Sequence, residues 1–390
     1  MNAYTIDDTN YTAAQLKRWQ VIYEGVPEAA VNPILGYSAS GSTINEGDNF
    51  NFSVAIQNVS DYKMDSLLVK YWLEDKNRVL HPIAIKRNDS LRVGQSILAS
   101  VSIPTLGFSG NNTLWMEANP SVPPGNNYDQ LEQYHFNNYA SLRFTAKGDK
   151  INPLLDVTFD GIHILDGDIV SAKPAIMIQL NDENKYLVLN DTSSFQIYLK
   201  APNSQLSQRV YFRKGGIDQL IFTPASLPSN KANILYNAIF PVDGKYELLV
   251  QAQDASKNKS GNLDYRITFE VINKSSITEV MNYPNPFTTS TRFVYTLTGS
   301  EIPTYFKIQI MTITGKVIRE ITQDELGLIH IGRNISEYAW DGTDEFGDRL
   351  ANGVYLYKVT TRLNSDIIEH RTTEADQYFT KGFGKMYLMR

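Results

Sequence analysis

The chain has 390 residues, of which 42% are apolar, and it contains no cysteine. Disulfides, thiolate metal sites and a cysteine nucleophile within the chain are therefore excluded. The net charge of -6 comes without a block of lysines or arginines, so we expect no nucleic-acid partner. A chain of this length has room for more than one core, which indicates two or three domains.

The first 30 residues are predicted to be a lead-in segment. Leu16, Trp19 and Tyr23 have helical spacing, which predicts a helix within residues 13–23. The opening residues lack a basic region followed by an apolar run, and no stretch approaches the ~18 apolar residues of a membrane span. The sequence therefore indicates either a cytosolic protein or a downstream piece of a longer exported chain.

Apolar and polar residues alternate along many short stretches that follow the lead-in. This period of two is typical of strands with one buried face. Glycine, proline, asparagine and aspartate separate the stretches, as turns require. The sequence thus predicts an all-β chain of tandem antiparallel immunoglobulin-like (Ig-like) sandwiches. The clearest predicted buried faces are Phe50, Phe52, Val54 and Ile56; Leu155, Val157 and Phe159; Tyr246, Leu248, Val250 and Ala252; and Tyr265, Ile267, Phe269 and Val271.

Two polar segments that end in proline are predicted domain boundaries. One runs from Ala146 to Pro153 and the other from Asn273 to Pro286. Proline cannot donate a ladder hydrogen bond, which suits a position between domains. The predicted domains are therefore the lead-in at 1–30 and three sandwiches at 31–147, 150–273 and 276–390.

The titratable residues form no recognisable catalytic motif. The five histidines are scattered without the spacing of a zinc site: His81, His135, His163, His330 and His370. Two acidic clusters, at Asp160, Asp166 and Asp168 and at Asp341, Asp344, Glu345 and Asp348, lack the spacing of an EF-hand loop. Asp341, Asp344 and Asp348 are kept as calcium candidates, although turn formation is the favoured role of both clusters. We expect a chain that is not an enzyme and holds no cofactor.

The third predicted domain has the most specific local pattern. Gly315 supplies the positive φ of a tight hairpin turn, and Trp340 is a large inward anchor before the turn at Asp341 and Gly342. Gly347 and Gly353 allow the corners that lead into the strand "VYLYKV".

In this order the pattern resembles the Ig-like domain shared by the flagellar hook-capping family and the C-terminal sorting domains of type IX secretion substrates. The resemblance is carried by five segments and one single glycine. The segments are Tyr283-Pro284-Asn285-Pro286-Phe287, Thr314 to Val317, Trp340-Asp341-Gly342, Gly353-Val354-Tyr355-Leu356-Tyr357 and the last strand from Lys385 to Met389; the glycine is Gly347. The segment at 360–384 is longer than the turn expected before a final strand in that family, which puts the cleavage and attachment of ordinary cargo in doubt here.

The other two domains have looser resemblances. Residues 32–73 resemble the adhesion-type (CARDB-like) sandwich, and residues 156–182 and 243–262 resemble bacterial Ig-like repeats. The lead-in followed by three sandwiches also resembles the C-terminal region of large gingipain-type cysteine peptidase homologues. That resemblance implies a catalytic domain upstream of this chain, which would be the stalk and sorting end.

The resemblance implies an exported protein at the outer-membrane surface or outside the cell, recognised by the type IX machinery through an outer-membrane β-barrel shuttle protein. The predicted docking element is the terminal strand with its flanks: Lys385, Met386, Tyr387, Leu388, Met389 and Arg390. Met386 and Leu388 are expected to face one way and Tyr387 and Met389 the other. An edge strand would offer free main-chain groups for β-augmentation, although a purely structural final strand explains the pattern equally well.

The alternative function is a carbohydrate-binding accessory region of a cell-surface hydrolase. Trp72, Trp115 and Tyr128 are the aromatic residues that could stack on sugar rings. A flat row of exposed aromatics would favour this function, whereas core packing explains them otherwise.

Overall fold

The computed structural model describes residues 18, 20–22, 24–122, 127–364, 366–371, 379–380 and 382–390. The predicted helix at 13–23 lies outside these residues except for residues 18 and 20–22, which have no regular structure. The chain forms two compact units, Met1–Asp149 and Lys150–Arg390. Almost all regular secondary structure in the described part is strand, which confirms the all-β prediction.

The first unit is a sandwich of two sheets. Its strands are β1 (Ala29–Val31), β2 (Tyr37–Ala39), β3 (Thr43–Asn45), β4 (Asn49–Asn58), β5 (Met64–Glu74), β6 (Leu80–Leu91), β7 (Ser96–Pro104), β8 (Gly110–Ala118) and β9 (Tyr139–Lys147). In one sheet, β1 and β2 pair one after the other along one edge of β4, and β7 pairs along its other edge. The second sheet has the strand order β3-β9-β8-β5-β6. Phe50 and Phe144 stack across the sandwich with ring centroids 3.9 Å apart.

The second unit begins with another sandwich. Its elements are β10 (Leu154–Phe159), β11 (Ile169–Val170), β12 (Ala175–Asn181), a 3₁₀ helix (Thr192–Ser194), β13 (Phe195–Lys200), β14 (Gln208–Val210), β15 (Arg213–Lys214), β16 (Ile217–Asp218), β17 (Ile221–Thr223), β18 (Lys231–Asn237), β19 (Gly244–Ala252) and β20 (Tyr265–Val271). Its two sheets have the strand orders β10-β12-β18-β17 and β11-β20-β19-β13-β14. Phe240, Tyr246 and Phe269 pack together at its centre.

The elements of the last sandwich are β21 (Ser276–Tyr283), β22 (Arg292–Leu297), β23 (Tyr305–Thr312), β24 (Val317–Thr322), α1 (Gln323–Leu326), β25 (Gly332–Ile335), β26 (Gly353–Leu363), β27 (Asp366–Ile367), β28 (Glu369–His370), β29 (Phe379–Thr380) and β30 (Phe383–Leu388). Its two sheets have the strand orders β25-β22-β21-β28 and β24-β23-β26-β30-β29, and β27 pairs with β26. Its core contains Trp340, Tyr355 and Tyr357.

The alternating stretches lie where a period of two predicts. Phe50, Phe52, Val54 and Ile56 on β4 are buried, and so are Tyr246, Leu248, Val250 and Ala252 on β19. Most pairings are antiparallel, but β3–β9, β11–β20 and β21–β28 are parallel. The short helix α1 was not predicted, because four residues are too few for a helical period to appear.

The two cores of the second unit meet through glycines. A Cβ at Gly332 would lie 2.5 Å from the Ile169 carbonyl oxygen of the preceding sandwich, and the Gly299 N–H donates to the Ile272 carbonyl, just after β20, at 2.9 Å. The Ala172 N–H also donates to the Gly299 carbonyl at 3.0 Å. The predicted boundary near 273–276 therefore lies inside one compact unit, whereas the predicted boundary near 147–150 coincides with the division between units. Three independent domains stay a prediction.

Among the described residues, no helix is long and apolar enough to cross a lipid bilayer.

Candidate functional site

The segment from Tyr283 to Phe287 packs along the terminal strand β30. Phe287 is buried against Trp340, with ring centroids 5.6 Å apart. Its N–H donates to the Tyr387 carbonyl at 3.0 Å, and its carbonyl accepts from the Met389 N–H at 2.9 Å. Asn285 completes the pairing, because Nδ2 donates to the Lys385 carbonyl and Oδ1 accepts from the Tyr387 N–H, each at 3.0 Å. We call residues 285–287 the edge cover.

The edge cover changes how the terminal strand can act. One edge of β30 pairs with β26 from Gly353 to Lys358, and β29 takes the start of the other edge. The edge cover takes the remaining main-chain groups of that edge between Lys385 and Met389. The expectation that β30 offers a free edge for β-augmentation is therefore wrong, because a distant segment already satisfies these groups.

The predicted docking residues divide into three groups. Met386 and Leu388 are fully buried in the core. Arg390 is held at the turn after Trp340, where Nη2 donates to the carbonyls of Asp341 and Gly342. Lys385, Tyr387 and Met389 are exposed, as the alternation along the strand predicted.

The exposed side chains of β30 form a continuous surface with the outer face of β26. Cross-strand pairs place Val354 beside Tyr387, Leu356 beside Lys385, and Lys358 beside Phe383. Lys358 Nζ lies 5.8 Å from the Phe383 ring centroid, within the range of a cation–π interaction. We call this surface the terminal-strand face; it consists of Val354, Leu356, Lys358, Phe383, Lys385, Tyr387 and Met389.

A shallow cavity of about 450 Å³ adjoins the terminal-strand face. Its walls include Met311, Ile313 and Gly315 besides Leu356, Lys358 and Phe383. No described carboxylate pairs with Lys358 or Lys385, although the neighbouring Lys307 pairs with Glu320 at 3.1 Å. Gln309 and Lys307 both donate to Glu320 and hold the pKa of its carboxyl below its usual value. The surface is therefore apolar with unpaired positive charge.

The remaining signature residues build the frame of this sandwich. Gly315 has φ +88° in the hairpin turn between β23 and β24. Tyr355 donates its hydroxyl proton to the Ala351 carbonyl at 2.7 Å. Gly342 also has a positive φ, and a Cβ there would lie 3.0 Å from both Leu388 and Arg390. Pro284 and Pro286 are exposed and shape the edge cover, while Gly353 begins β26.

The carboxylates of most of the acidic candidates accept hydrogen bonds from main-chain N–H groups and from a threonine hydroxyl. Asp341 Oδ1 accepts from Thr343, and Asp344 Oδ1 accepts from the N–H groups of Phe346 and Asp348. In the described part of the chain, Asp341, Asp344 and Asp348 do not form a group whose carboxylate oxygens lie within 4.8 Å of one another. Asp160, Asp166 and Asp168 likewise accept backbone N–H groups of Ala175, Thr268 and Leu165.

The histidines have separate local partners. His81 pairs with Asp75 at 3.0 Å, and His163 pairs with Asp156 at 2.6 Å. His330 Nδ1 lies 2.9 Å from the Ile331 carbonyl oxygen, and the His370 ring lies 4.7 Å from that of Phe379. None of these pairs includes a serine or threonine nucleophile among the contacts described.

The two predicted tryptophans face each other across β5 and β8. Trp72 and Trp115 have parallel rings with centroids 6.3 Å apart, and both are half-buried. Lys70 lies over Trp72 at 5.4 Å, and Trp115 Nε1 donates to Glu74. Tyr128, by contrast, lies in an exposed loop and stacks on His135. The three residues therefore do not form one flat row.

No protein-family model matches this chain, and no curated protein matches it. Among solved structures, it is similar to dimeric latent PorU from Porphyromonas gingivalis, with 13% identity and a TM-score of 0.25 over 94% of this chain and 34% of that one. It is also similar to a tetra-tandem repeat in the extending region of a large adhesion protein, with 13% identity and a TM-score of 0.27 over 93% of this chain and 74% of that one.

A third similar structure is SGBP-B of the Bacteroides ovatus mixed-linkage glucan utilization locus, in complex with a heptasaccharide. The identity is 13% and the TM-score 0.22, over 91% of this chain and 67% of that one. The chain thus spans about a third of the PorU chain. Likeness at this level supports no statement about function, and the sandwich fold is established by the strands and their pairing.

Proposed function

We propose that the chain is a non-catalytic stalk and recognition region of an exported surface protein, and that its last sandwich docks on the type IX secretion machinery. The observation that carries this proposal is the terminal-strand face, where aromatic and aliphatic side chains alternate with Lys358 and Lys385 on a rigid sheet. Exposed apolar patches of this kind are typical of sites where another protein binds.

The proposed docking uses side chains rather than main-chain pairing. Residues 285–287 occupy the outer edge of β30, so a partner meets the solvent-facing side chains instead. Tyrosine and methionine are enriched in interface cores, and unpaired lysines at the rim favour a partner surface with carboxylates. The resemblance of the last sandwich to sorting domains suggests an outer-membrane β-barrel shuttle protein as that partner.

The test is a variant with Lys385→Glu, Tyr387→Ser and Met389→Ser. These side chains are exposed, so the sandwich should fold as before, while binding to the purified shuttle protein should weaken by about tenfold or more. Truncation after Gly384 is a poorer test, because it also removes the buried Met386 and Leu388.

The matched control carries Leu328→Ser, Arg333→Glu and Ile335→Ser, which are exposed positions on β25, part of the other sheet of the same sandwich, and in the loop before it. Surface plasmon resonance with the shuttle barrel in detergent would measure both variants, with circular dichroism to check folding. Unchanged binding of the first variant, or equal loss in both, would contradict the proposed docking surface.

A carbohydrate-binding role is the second candidate. The pair Trp72 and Trp115 does not favour it, since both residues are half-buried, Lys70 lies over the Trp72 ring, and Trp115 Nε1 is already bound to Glu74. The exposed loop that contains Tyr128 does favour a carbohydrate-binding role.

A further inference from the structure

The loop between β8 and β9 of the first unit exposes an unusual number of large apolar side chains. Among residues 127–138 of this loop, Phe136 is 80% exposed, Leu131 79%, Tyr134 50% and Tyr128 46%. The Tyr134 and Phe136 rings lie 5.7 Å apart at an angle of 59°, and Tyr128 stacks on His135, the residue between Tyr134 and Phe136 in the sequence. We call residues 127–138 the aromatic loop.

Glu132 ties the middle of the aromatic loop to the body of the first unit through hydrogen bonds to its buried carboxylate. Its side chain is fully buried, and its two oxygens accept from the Ala29 N–H at 2.7 Å, Asn119 Nδ2 at 2.6 Å and Asn138 Nδ2 at 2.7 Å. Burial raises the pKa of the Glu132 carboxyl, while these donors oppose the rise. Hydrogen bonds to a buried carboxylate are among the stronger ones in proteins.

Glu28, at the entry to β1, holds the same loop from a second direction. Its Oε2 accepts from the N–H groups of Gln133 and Tyr134, and its Oε1 accepts from Asn137 Nδ2. Arg87 forms a two-pronged pair with Asp129 at the start of the loop. The exposed aromatics are therefore carried on a backbone that is already ordered, which lowers the entropy cost of binding a ligand.

The chemistry of the exposed surface is neutral. The aromatic loop contains no lysine or arginine, and both of its carboxylates are engaged, Asp129 with Arg87 and Glu132 with buried donors. What remains for a ligand is aromatic faces, Leu131 and the exposed amide of Gln133, whose Nε2 donates to the Tyr134 hydroxyl. A ligand with apolar faces and hydroxyl groups, and without charge, matches this set.

The size of the surface also limits the ligand. A stable protein interface draws on roughly 20–30 residues from each partner, whereas only a few side chains of one loop are presented here. Sugar rings stacked on the exposed rings of Tyr134 and Phe136 fit that extent. We propose that the aromatic loop is a binding site for a neutral oligosaccharide or polysaccharide; this inference rests on the second candidate function and is independent of docking by the last sandwich.

The test is affinity electrophoresis of the full chain through gels that contain a soluble β-glucan, a galactomannan, a xyloglucan or a dextran, with polygalacturonate as the acidic probe. The loop variant carries Tyr134→Ala and Phe136→Ala. The matched control carries Tyr211→Ala and Phe346→Ala, an exposed tyrosine and an exposed phenylalanine of the second unit.

We expect at least one neutral polysaccharide to retard the chain and the control variant alike, with the dissociation constant of the loop variant raised about tenfold or more. Three outcomes would overturn the proposal: no retardation in any neutral gel, retardation by polygalacturonate alone, or equal retardation of the loop variant. Capture of a protein partner through the loop, in the absence of polysaccharide binding, would also overturn it. None of these outcomes bears on binding to the secretion partner, for which we propose a surface on the other unit.

Discussion

At the scale of single residues, Gly384 shows how tightly the last sandwich is packed. The Tyr357 ring lies directly over it, so that a Cβ at Gly384 would be 1.9 Å from Tyr357 Cζ. Tyr357 is itself buried, with Phe293 and Phe379 beside its ring and its hydroxyl donating to the Val280 carbonyl. These contacts confine the Tyr357 ring on several sides.

Gly384→Ala is expected to lower the free energy of unfolding of the second unit by about 1–3 kcal/mol, because an added methyl group overpacks a filled core. Urea unfolding followed by tryptophan fluorescence measures the change. Gly261→Ala is the control, since a Cβ there meets only ordinary contacts at 3.5 Å or more. An equal effect of the two substitutions would show that the contact with Tyr357 is not the cause.

At the scale of elements, the edge cover decides what the terminal strand can do. A sheet edge with free N–H and C=O groups invites pairing with another chain. Asn285 blocks the first half of that edge with its side chain, and Phe287 blocks the second half with its main chain. The two halves can be opened separately by substitution.

Asn285→Ala should release the Tyr387 N–H and the Lys385 carbonyl while leaving the Met389 N–H paired with Phe287. Hydrogen exchange should then speed up at Tyr387 but not at Met389, with a loss of about 0.5–1.5 kcal/mol in stability, since the released groups are exposed and can bind water. Exposure of the edge should also produce concentration-dependent association in sedimentation velocity. Thr288→Ala, at an exposed neighbouring position, is the control; unchanged exchange at Tyr387 in the Asn285 variant would rule out the blocking role.

At the scale of the whole molecule, the second unit contains two hydrophobic cores that pack as one body. Gly332 of the last sandwich lies close against the Ile169 carbonyl of the preceding one, so that a Cβ there would be 2.5 Å from the carbonyl oxygen. Its φ of +104° is a second reason why only glycine fits there. We expect this contact and the hydrogen bond from the Ala172 N–H to the Gly299 carbonyl to couple the unfolding of the two cores.

Gly332→Ala is expected to separate the unfolding of the two cores, because the added Cβ cannot coexist with the Ile169 carbonyl at 2.5 Å. Differential scanning calorimetry should show the transition of the second unit split or broadened. Gly315→Ala serves as control, since Gly315 also has a positive φ but no atom within 4 Å of an added Cβ. A single sharp transition in the Gly332 variant would mean that the junction does not couple the cores.

Much of the fold follows from local sequence. The alternation of apolar residues places Phe50 to Ile56 and Tyr246 to Ala252 on buried faces, because successive side chains of a strand point to opposite sides. The same rule separates Met386 and Leu388 from Lys385, Tyr387 and Met389. The exposed side of the docking candidate was therefore predictable from the sequence by itself.

The tertiary structure decided the rest. The edge of β30 is closed by residues about a hundred positions earlier, and the aromatic loop is held by Glu28, more than a hundred positions before it. Neither pairing leaves a local signal, because a carboxylate or an amide in the sequence does not show which distant main-chain groups it will satisfy. The sequence determined which side chains face solvent on each strand; long-range hydrogen bonds determined which edges and loops are left open to a partner.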